Sequence, residues 1–184
     1  EPANTLSPSE LSQYAQKLSS KSIQCKILDE DECQKLGMNA FLGVGKGSVE
    51  PSKLIHLSYK PKKEENSIWF IGKAIMFDSG GLSLKPSGSM LSMKGDMGGS
   101  ASVISAIEAI SDLRLNINVE ALCLATENMP SGSAQRPSDV VKAMDGTFIE
   151  IENTDAEGRL TLADGVTYAK RLNSKANIDV ATIT

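Results

Sequence analysis

Residues 67–77 read SIWFIGKAIMF, an almost unbroken apolar run that ends at Asp78 and a glycine-rich stretch over 78–99. Such a run predicts a strand buried on both faces of a sheet. Residues 100–113, SASVISAIEAISDL, then space their apolar side chains as a helix does, and 116–126, NINVEALCLAT, return to a strand pattern. Strand, loop, helix and strand make a β-loop-α-β unit. That unit predicts an α/β fold: a mixed, largely parallel β-sheet flanked by helices.

Outward from this unit the pattern continues. Ser7-Pro8-Ser9-Glu10 reads as a capping box with proline at the first helical position, Leu6 and Leu11 sit where a hydrophobic staple would pack, and a helix over about 8–20 follows. SIQCKIL at 22–28 alternates like a strand, Asp29 with Glu32 is a second capping box opening a helix toward Gly37, and KLIHLSYK at 53–60 is another strand. PKKEENS at 61–67 is a charged surface loop. After the central unit, a strand near 147–152, a helix over about 160–173 and an apolar strand at 178–184 complete the reading. Thr184 falls inside that last apolar stretch, so the chain reads as part of a longer sequence. Gly43-Val44-Gly45-Lys46-Gly47-Ser48 lacks the spacing of a phosphate loop and reads as a helix-end loop. His56 and Trp69 read as structural.

Composition narrows the chemistry. The 184 residues carry one histidine, three cysteines, and 19 basic against 23 acidic side chains, a net charge of −4. Zinc fingers, three-histidine zinc sites and four-cysteine clusters need more imidazole or thiolate than this. A Ser-His-Asp triad would rest on His56 alone. Any metal must be held mainly by carboxylates. Hydrophobic content of 40% and charged content of 23% are those of a globular domain. An isoelectric point near 5.1 and the absence of a basic cluster argue against nucleic-acid and anionic-membrane partners. No apolar run approaches the roughly 20 residues of a membrane span. The opening EPANTLSPSE lacks a signal-peptide layout, and three sparse cysteines point to free thiols in a reducing, cytoplasmic setting.

Lys73 interrupts the apolar strand, where an ammonium loses its hydration. Burial lowers a lysine pKa, and a neutral amine can ligate a metal; a snorkelling or salt-bridged lysine is the plainer alternative. Asp78 lies at the strand's carboxyl end, where open α/β sheets bind ligands. Asp96 precedes a helix, a position also common for an N-cap. Asp155 and Glu157, two residues apart, face one way if the backbone is extended; an acidic helix N-terminus is the alternative. Four carboxylates and an amine beside apolar strands suit two divalent cations sharing a carboxylate and a water. Softness favours magnesium or manganese, with zinc possible. Lys85 and Arg159 are then cations available to polarise a carbonyl or neutralise an oxyanion.

NTDAEGRL at 153–160 resembles the signature of the leucyl aminopeptidases, the cytosol aminopeptidase family of metallopeptidases. The resemblance includes GKAIMFDSGG at 72–81, Lys85, MKGDMGG at 93–99, ENMPSGSAQRPSD at 127–139, TLADGVTYA at 161–169 and the final DVATIT. It implies that Lys73, Asp78 and Asp96 ligate one metal, that Asp155 ligates the other, and that Asp78 and Glu157 serve both. It implies catalytic roles for Lys85 and for Arg159, whose family counterpart holds a bicarbonate acting as general base. Lys73, Asp78, Ser83, Lys85, Met93 and Asp96 match the substrate site. The implied activity is removal of N-terminal amino acids, leucine preferred, from peptides, in a cytosolic homohexamer. In the implied mechanism the substrate amine binds one cation, the scissile carbonyl the other, and a bridging water attacks. The implied cofactors are two zinc or manganese ions, magnesium being a further candidate.

By this resemblance residues 1–184 are the N-terminal portion of the catalytic domain, with leading helices and strands over 1–66 and a metal-binding core over 67–184. The family's N-terminal domain and the rest of its catalytic domain lie outside the sequence. Two residues depart from the family pattern: Ala74 where glycine often follows the lysine, and Ser138 where RPGD is usual. A two-metal phosphoester hydrolase and an inactive fragment or non-enzymatic binding module are the competing readings.

Overall fold

The apolar run of 67–77 needs cover on both sides, and the chain supplies it from helices before and after it. The computed structural model describes residues 1–19, 22–63 and 66–183. In chain order the elements are α1 (Pro8–Lys17), β1 (Ile23–Leu28), α2 (Glu30–Leu36), α3 (Asn39–Gly45), β2 (Lys53–Tyr59), β3 (Ser67–Asp78), α4 (Ser87–Met90), α5 (Gly98–Asp112), β4 (Val119–Asn128), β5 (Val140–Lys142), β6 (Phe148–Glu150), α6 (Glu157–Arg171) and β7 (Ser174–Val180). Short 3₁₀ turns, Met93–Gly95 and Thr154–Ala156, precede α5 and α6.

Five strands form one mixed sheet in the order β1-β2-β4-β3-β7. β1 and β2 pair antiparallel, as do β2 and β4; β3 pairs parallel with both β4 and β7. From β3 the chain crosses through α5 to β4 on one side, then through α6 to β7 on the other. The strand order therefore turns back about β3, and a crevice opens at the carboxyl ends of the parallel strands.

Strand alternation assigns each core residue to a layer. Ala74 and Met76 of β3, with Ala121 and Cys123 of β4, pack against Leu11 and Ala15 of α1 and Val103, Ile104 and Ile107 of α5. Trp69 and Ile71, with Leu122 and Leu124, pack on the opposite face against Cys33, Phe41, Tyr168 and Ala169 of α2, α3 and α6. Each large side chain so buried contributes about 1.5–3 kcal/mol. Ala74, one of the two departures, is fully buried in the layer that packs against α5, on the face opposite the Lys73 side chain.

The second layer also buries a charge. Glu120 of β4 is 1% exposed and lies between Lys60 Nζ (2.7 Å), His56 Nε2 (3.0 Å), Ser58 Oγ and Ser67 Oγ (3.3 Å). His56 in turn stacks on Trp69, ring centroids 4.9 Å apart, and meets Tyr168 edge-on at 5.8 Å. The lone histidine is structural.

Several boundaries differ from the sequence reading. Ser7 does accept the Glu10 N–H, but the Glu10 carboxylate takes Gln13 instead of closing the box; Asp29 and Glu32 form theirs completely. α1 ends at Lys17. Residue 20 of its anticipated span, residues 64 and 65 of the charged loop and residue 184 of the last strand lie outside the described residues. The anticipated strand near 147–152 is the shorter β6, which forms a hairpin with the unanticipated β5. α6 begins at Glu157, before the anticipated 160. β7 runs from Ser174 to Val180, starting before and ending short of the anticipated 178–184; its first half, Ser174–Asn177, is polar or small and mostly exposed, so it carries no apolar pattern. α3 was not foreseen, although its last residue, Gly45, makes the 43–48 segment the helix end that its spacing indicates.

Ser138 shows why glycine suits its position: its φ is +73°, in the left-handed region where a Cβ is strained. Ser138→Gly is expected to raise the urea midpoint, by about 1 kcal/mol of stability. Glu120 is held below the usual glutamate range, because His56, Lys60 and Ser58 outweigh its burial. Its contribution is therefore present above the unfolded pKa and is lost as pH falls through the lower folded value. Glu120→Gln should cost about 1–3 kcal/mol at neutral pH, and urea titrations should show that deficit shrinking below about pH 4.

Candidate metal centre

Lys73 lies on the α6 side of β3, in step with Trp69 and Ile71. Its stem passes over Gly158, where a Cβ would lie 2.9 Å from Lys73 Cε and 3.1 Å from Nζ. The absence of a side chain there leaves the path open. The ammonium, 4% exposed, reaches Asp96 Oδ1 at 2.8 Å and Glu157 Oε1 at 2.7 Å, and donates to the Thr182 carbonyl at 2.8 Å. Burial opposes its charge, but Glu157 and Asp96 outweigh burial and hold the pKa above the ordinary lysine value. Burial alone points to a neutral amine; with these partners Lys73 is an ion-paired ammonium.

Asp78 ends β3 beside Asn128, which ends β4. Its Oδ1 accepts from the Gly80 N–H at 2.9 Å and from Asn128 Nδ2 at 2.8 Å, while Oδ2 meets Lys85 Nζ at 3.0 Å. Lys85 also meets Asp155 Oδ1 at 2.5 Å. Burial again opposes the charge, yet Asp155 and Asp78 hold the Lys85 pKa well above its usual value.

Asp96 follows the 3₁₀ turn, and the residue at the N-cap of α5 is Met97. Asp96 instead accepts from Thr182 Oγ1 at 2.7 Å and pairs with Lys73; its buried Oδ2 has no hydrogen-bond partner among the described residues. Burial pushes the Asp96 carboxyl above the usual range, against Lys73 and Thr182.

Asp155 and Glu157 converge by a different local geometry from the extended one considered above. Asp155 sits in the 3₁₀ turn, its N–H accepted by Asn153 Oδ1 at 2.8 Å, and Glu157 opens α6. Asp78, Asp155 and Glu157 each offer an oxygen within 4.8 Å of the others, the one such acidic trio among the described residues. Glu157 is pushed up to about 7, first by burial and then by Asp78. Four carboxylates against the ammonium groups of Lys73 and Lys85 leave negative charge unbalanced in a buried place. That excess, the unpartnered Asp96 Oδ2 and an oxygen-rich donor set with one amine fit a hard or borderline divalent cation.

A cavity of about 370 Å³ opens over these groups, lined by Lys73, Asp78, Lys85, Asp96 and Asp155 together with Met93, Ser92 and Ile183. A larger cavity of about 450 Å³, bordered by Glu10, Glu50 and Glu127, lies apart from this chemistry. Ser83 is not on the wall of the 370 Å³ cavity. It exchanges hydrogen bonds with Thr154: its N–H donates to Thr154 Oγ1 at 2.8 Å, and its Oγ accepts from the Thr154 N–H at 3.1 Å. Arg159 is exposed, borders a small recess with Lys73, Asp155 and Glu157, and forms no ion pair among the described residues. Asn128, Thr154, Thr182 and Gly158 also shape the centre. The first two lie inside the ENMPSG and NTDAEGRL segments, but their residue types carry no chemical signal of their own.

A family profile described as "Cytosol aminopeptidase family, catalytic domain" matches residues 1–184. A "Probable cytosol aminopeptidase" of Persephonella marina (strain DSM 14350 / EX-H1) is 48% identical over 185 aligned positions, covering all of this chain and 37% of its own. Among solved structures, "Bottromycin maturation enzyme BotP in complex with Mn" superposes with a TM-score of 0.94 at 40% identity, over all of this chain and 41% of that one. The chain thus spans about two fifths of the length of these relatives.

Gly158→Ala should force the Lys73 stem aside and cost about 1–3 kcal/mol of stability, read as a lowered urea midpoint. Gly88→Ala is the control: nothing lies within 4 Å of its Cβ position, so stability should stay at or slightly above the parent's.

Proposed function

The chain belongs to the cytosol aminopeptidase family, and from that premise we propose that it carries the metal-binding core of a leucyl aminopeptidase, removing N-terminal residues from peptides. The observation that carries the reading is the convergence of Asp78, Asp155 and Glu157 within 4.8 Å, beside Lys73 and Asp96. Lys73, Asp78, Asp96, Asp155 and Glu157 would hold two divalent cations, zinc or manganese with magnesium as a further candidate. When bound, such ions supply Lewis acidity and a water acidified toward neutral pH.

The remaining roles follow from where the side chains sit. For Lys73 to ligate, its amine must give up the proton that Glu157 and Asp96 now retain. With divalent cations held there, a free and unprotonated substrate α-amine would be a ligand for one of them, which favours exopeptidase action. Lys85, with Nζ poised between Asp78 and Asp155 and facing the cavity, donates to the oxyanion that develops on the scissile carbonyl. Arg159, on the rim, would retain bicarbonate as a proton acceptor. Met93 supplies apolar wall for a leucine side chain. Assembly as a homohexamer and a cytoplasmic location belong to the same reading and rest on the family; no described helix is long and apolar enough to cross a membrane.

The test is hydrolysis of leucyl p-nitroanilide by the natural-length protein after chelation and reloading with manganese or zinc. Metal-restored turnover supports the reading, and turnover of a phosphoester alone overturns it. Asp155→Ala and Glu157→Ala should each abolish metal-dependent turnover; near-normal rates would remove that residue from the centre. Lys85→Ala should lower kcat by about 10²–10³-fold with bound metal retained. A matching loss of metal in elemental analysis would make Lys85 a ligand instead.

A further inference from the structure

We propose that Asn128 is the positioning residue of this centre, setting which Asp78 oxygen faces the cavity and how far Asp78 stands from Asp155. The inference rests on the metallopeptidase reading above. Asn128 is 2% exposed, and its side-chain amide donates both hydrogens, to Asp78 Oδ1 at 2.8 Å and to the Thr154 carbonyl at 3.0 Å. A flipped amide would set its oxygen against two acceptors, so only this orientation satisfies the contacts. Asp78 Oδ1 therefore receives two donors, the Asn128 amide and the Gly80 N–H at 2.9 Å, leaving Oδ2 as the oxygen turned to Lys85. The second hydrogen ties down the carbonyl of Thr154, the residue before Asp155. One amide thus joins the end of β3 to the turn that leads into α6.

Lys85 also spans Asp78 and Asp155, but through Asp78 Oδ2 and by ion pairs; among the described residues Asn128 is the side chain that ties Asp78 Oδ1 to the backbone of that turn. Thr154 Oγ1 donates to the Gly80 carbonyl at 2.6 Å and so fixes the loop after β3, but it does not touch the Asp78 carboxylate. The main chain of Asn128 does separate work: its carbonyl accepts from the Ser79 N–H at 3.0 Å and from Ser79 Oγ at 2.6 Å. Those bonds use the main-chain carbonyl, which Asn128→Asp and Asn128→Ala retain. Loss of the side-chain amide should then leave the fold anchored while freeing the Asp78 carboxylate to rotate.

The experiment uses the natural-length protein, the isosteric Asn128→Asp and the truncating Asn128→Ala. Mn²⁺ titrations of the chelated proteins by calorimetry, and electron paramagnetic resonance of the bound ion, give readouts independent of activity. Misoriented ligands should weaken Mn²⁺ binding by about 10–100-fold and change the resonance spectrum, with cooperative unfolding retained. At saturating Mn²⁺, kcat for leucyl p-nitroanilide should fall while KM stays near the parent's. Variants that bind Mn²⁺ as the parent does, with only a lowered melting temperature, overturn the assignment. So does loss of cooperative folding in both variants, which would make the amide a folding element. A parent that neither binds Mn²⁺ nor cleaves the anilide overturns the metallopeptidase reading itself; a parent that does both, beside equally competent variants, overturns the role of Asn128 alone.

Discussion

A buried ammonium organises this protein. Lys73 Nζ lies out of water between Asp96, Glu157 and the Thr182 carbonyl, and an ammonium so placed is tolerable only when its partners are close. Those partners come from the turn before α5, the first residue of α6 and the segment after β7. Satisfying one charge therefore fixes three separate pieces of chain at the carboxyl end of β3. The same demand explains Gly158, which gives the lysine stem its path.

Close backbone approach does the rest of the positioning. A Cβ at Gly99, on the first turn of α5, would lie 2.0 Å from the Val180 carbonyl and 2.8 Å from the Lys73 amide nitrogen. The start of α5 can thus press against β3 and the end of β7, which draws Asp96 to the lysine. On the other side, Thr154 and Ser83 bind the loop after β3 to the turn before α6, and Lys85 is carried in beside Asp155. Glycines and short hydroxyl side chains set the distances at which the carboxylates meet.

The result is a pocket that concentrates negative charge faster than its lysines neutralise it. Burial and mutual repulsion push Glu157 and Asp96 toward their protonated forms, which a divalent cation would reverse. Stability and function pull in opposite directions here, as they commonly do where charged groups are gathered for chemistry. The apolar layers on both faces of the sheet offset that cost, with the Glu120 cluster a second, fully partnered buried charge.

Much of this was legible from residue order. The buried strand at 67–77, the helix over 100–113, the next strand and the residues Lys73, Asp78, Asp96, Asp155 and Glu157 all follow from periodicity, from charge in an apolar run, and from the resemblance. Those signals are local, and local side-chain type and spacing are what a sequence displays. The exposed edge β7, the β5–β6 hairpin and α3 have weak local patterns and were set by what they pack against. The helical rather than extended path through Asp155 and Glu157, the protonation of Lys73 and the role of Asn128 depend on contacts between distant residues, Asn128 and Asp78 being 50 positions apart. Residue order specifies which groups the protein has and the layers that bring them near one another. Which carboxylate oxygen faces which ammonium is settled in the folded chain, because hydrogen-bond direction and burial are properties of three-dimensional neighbours.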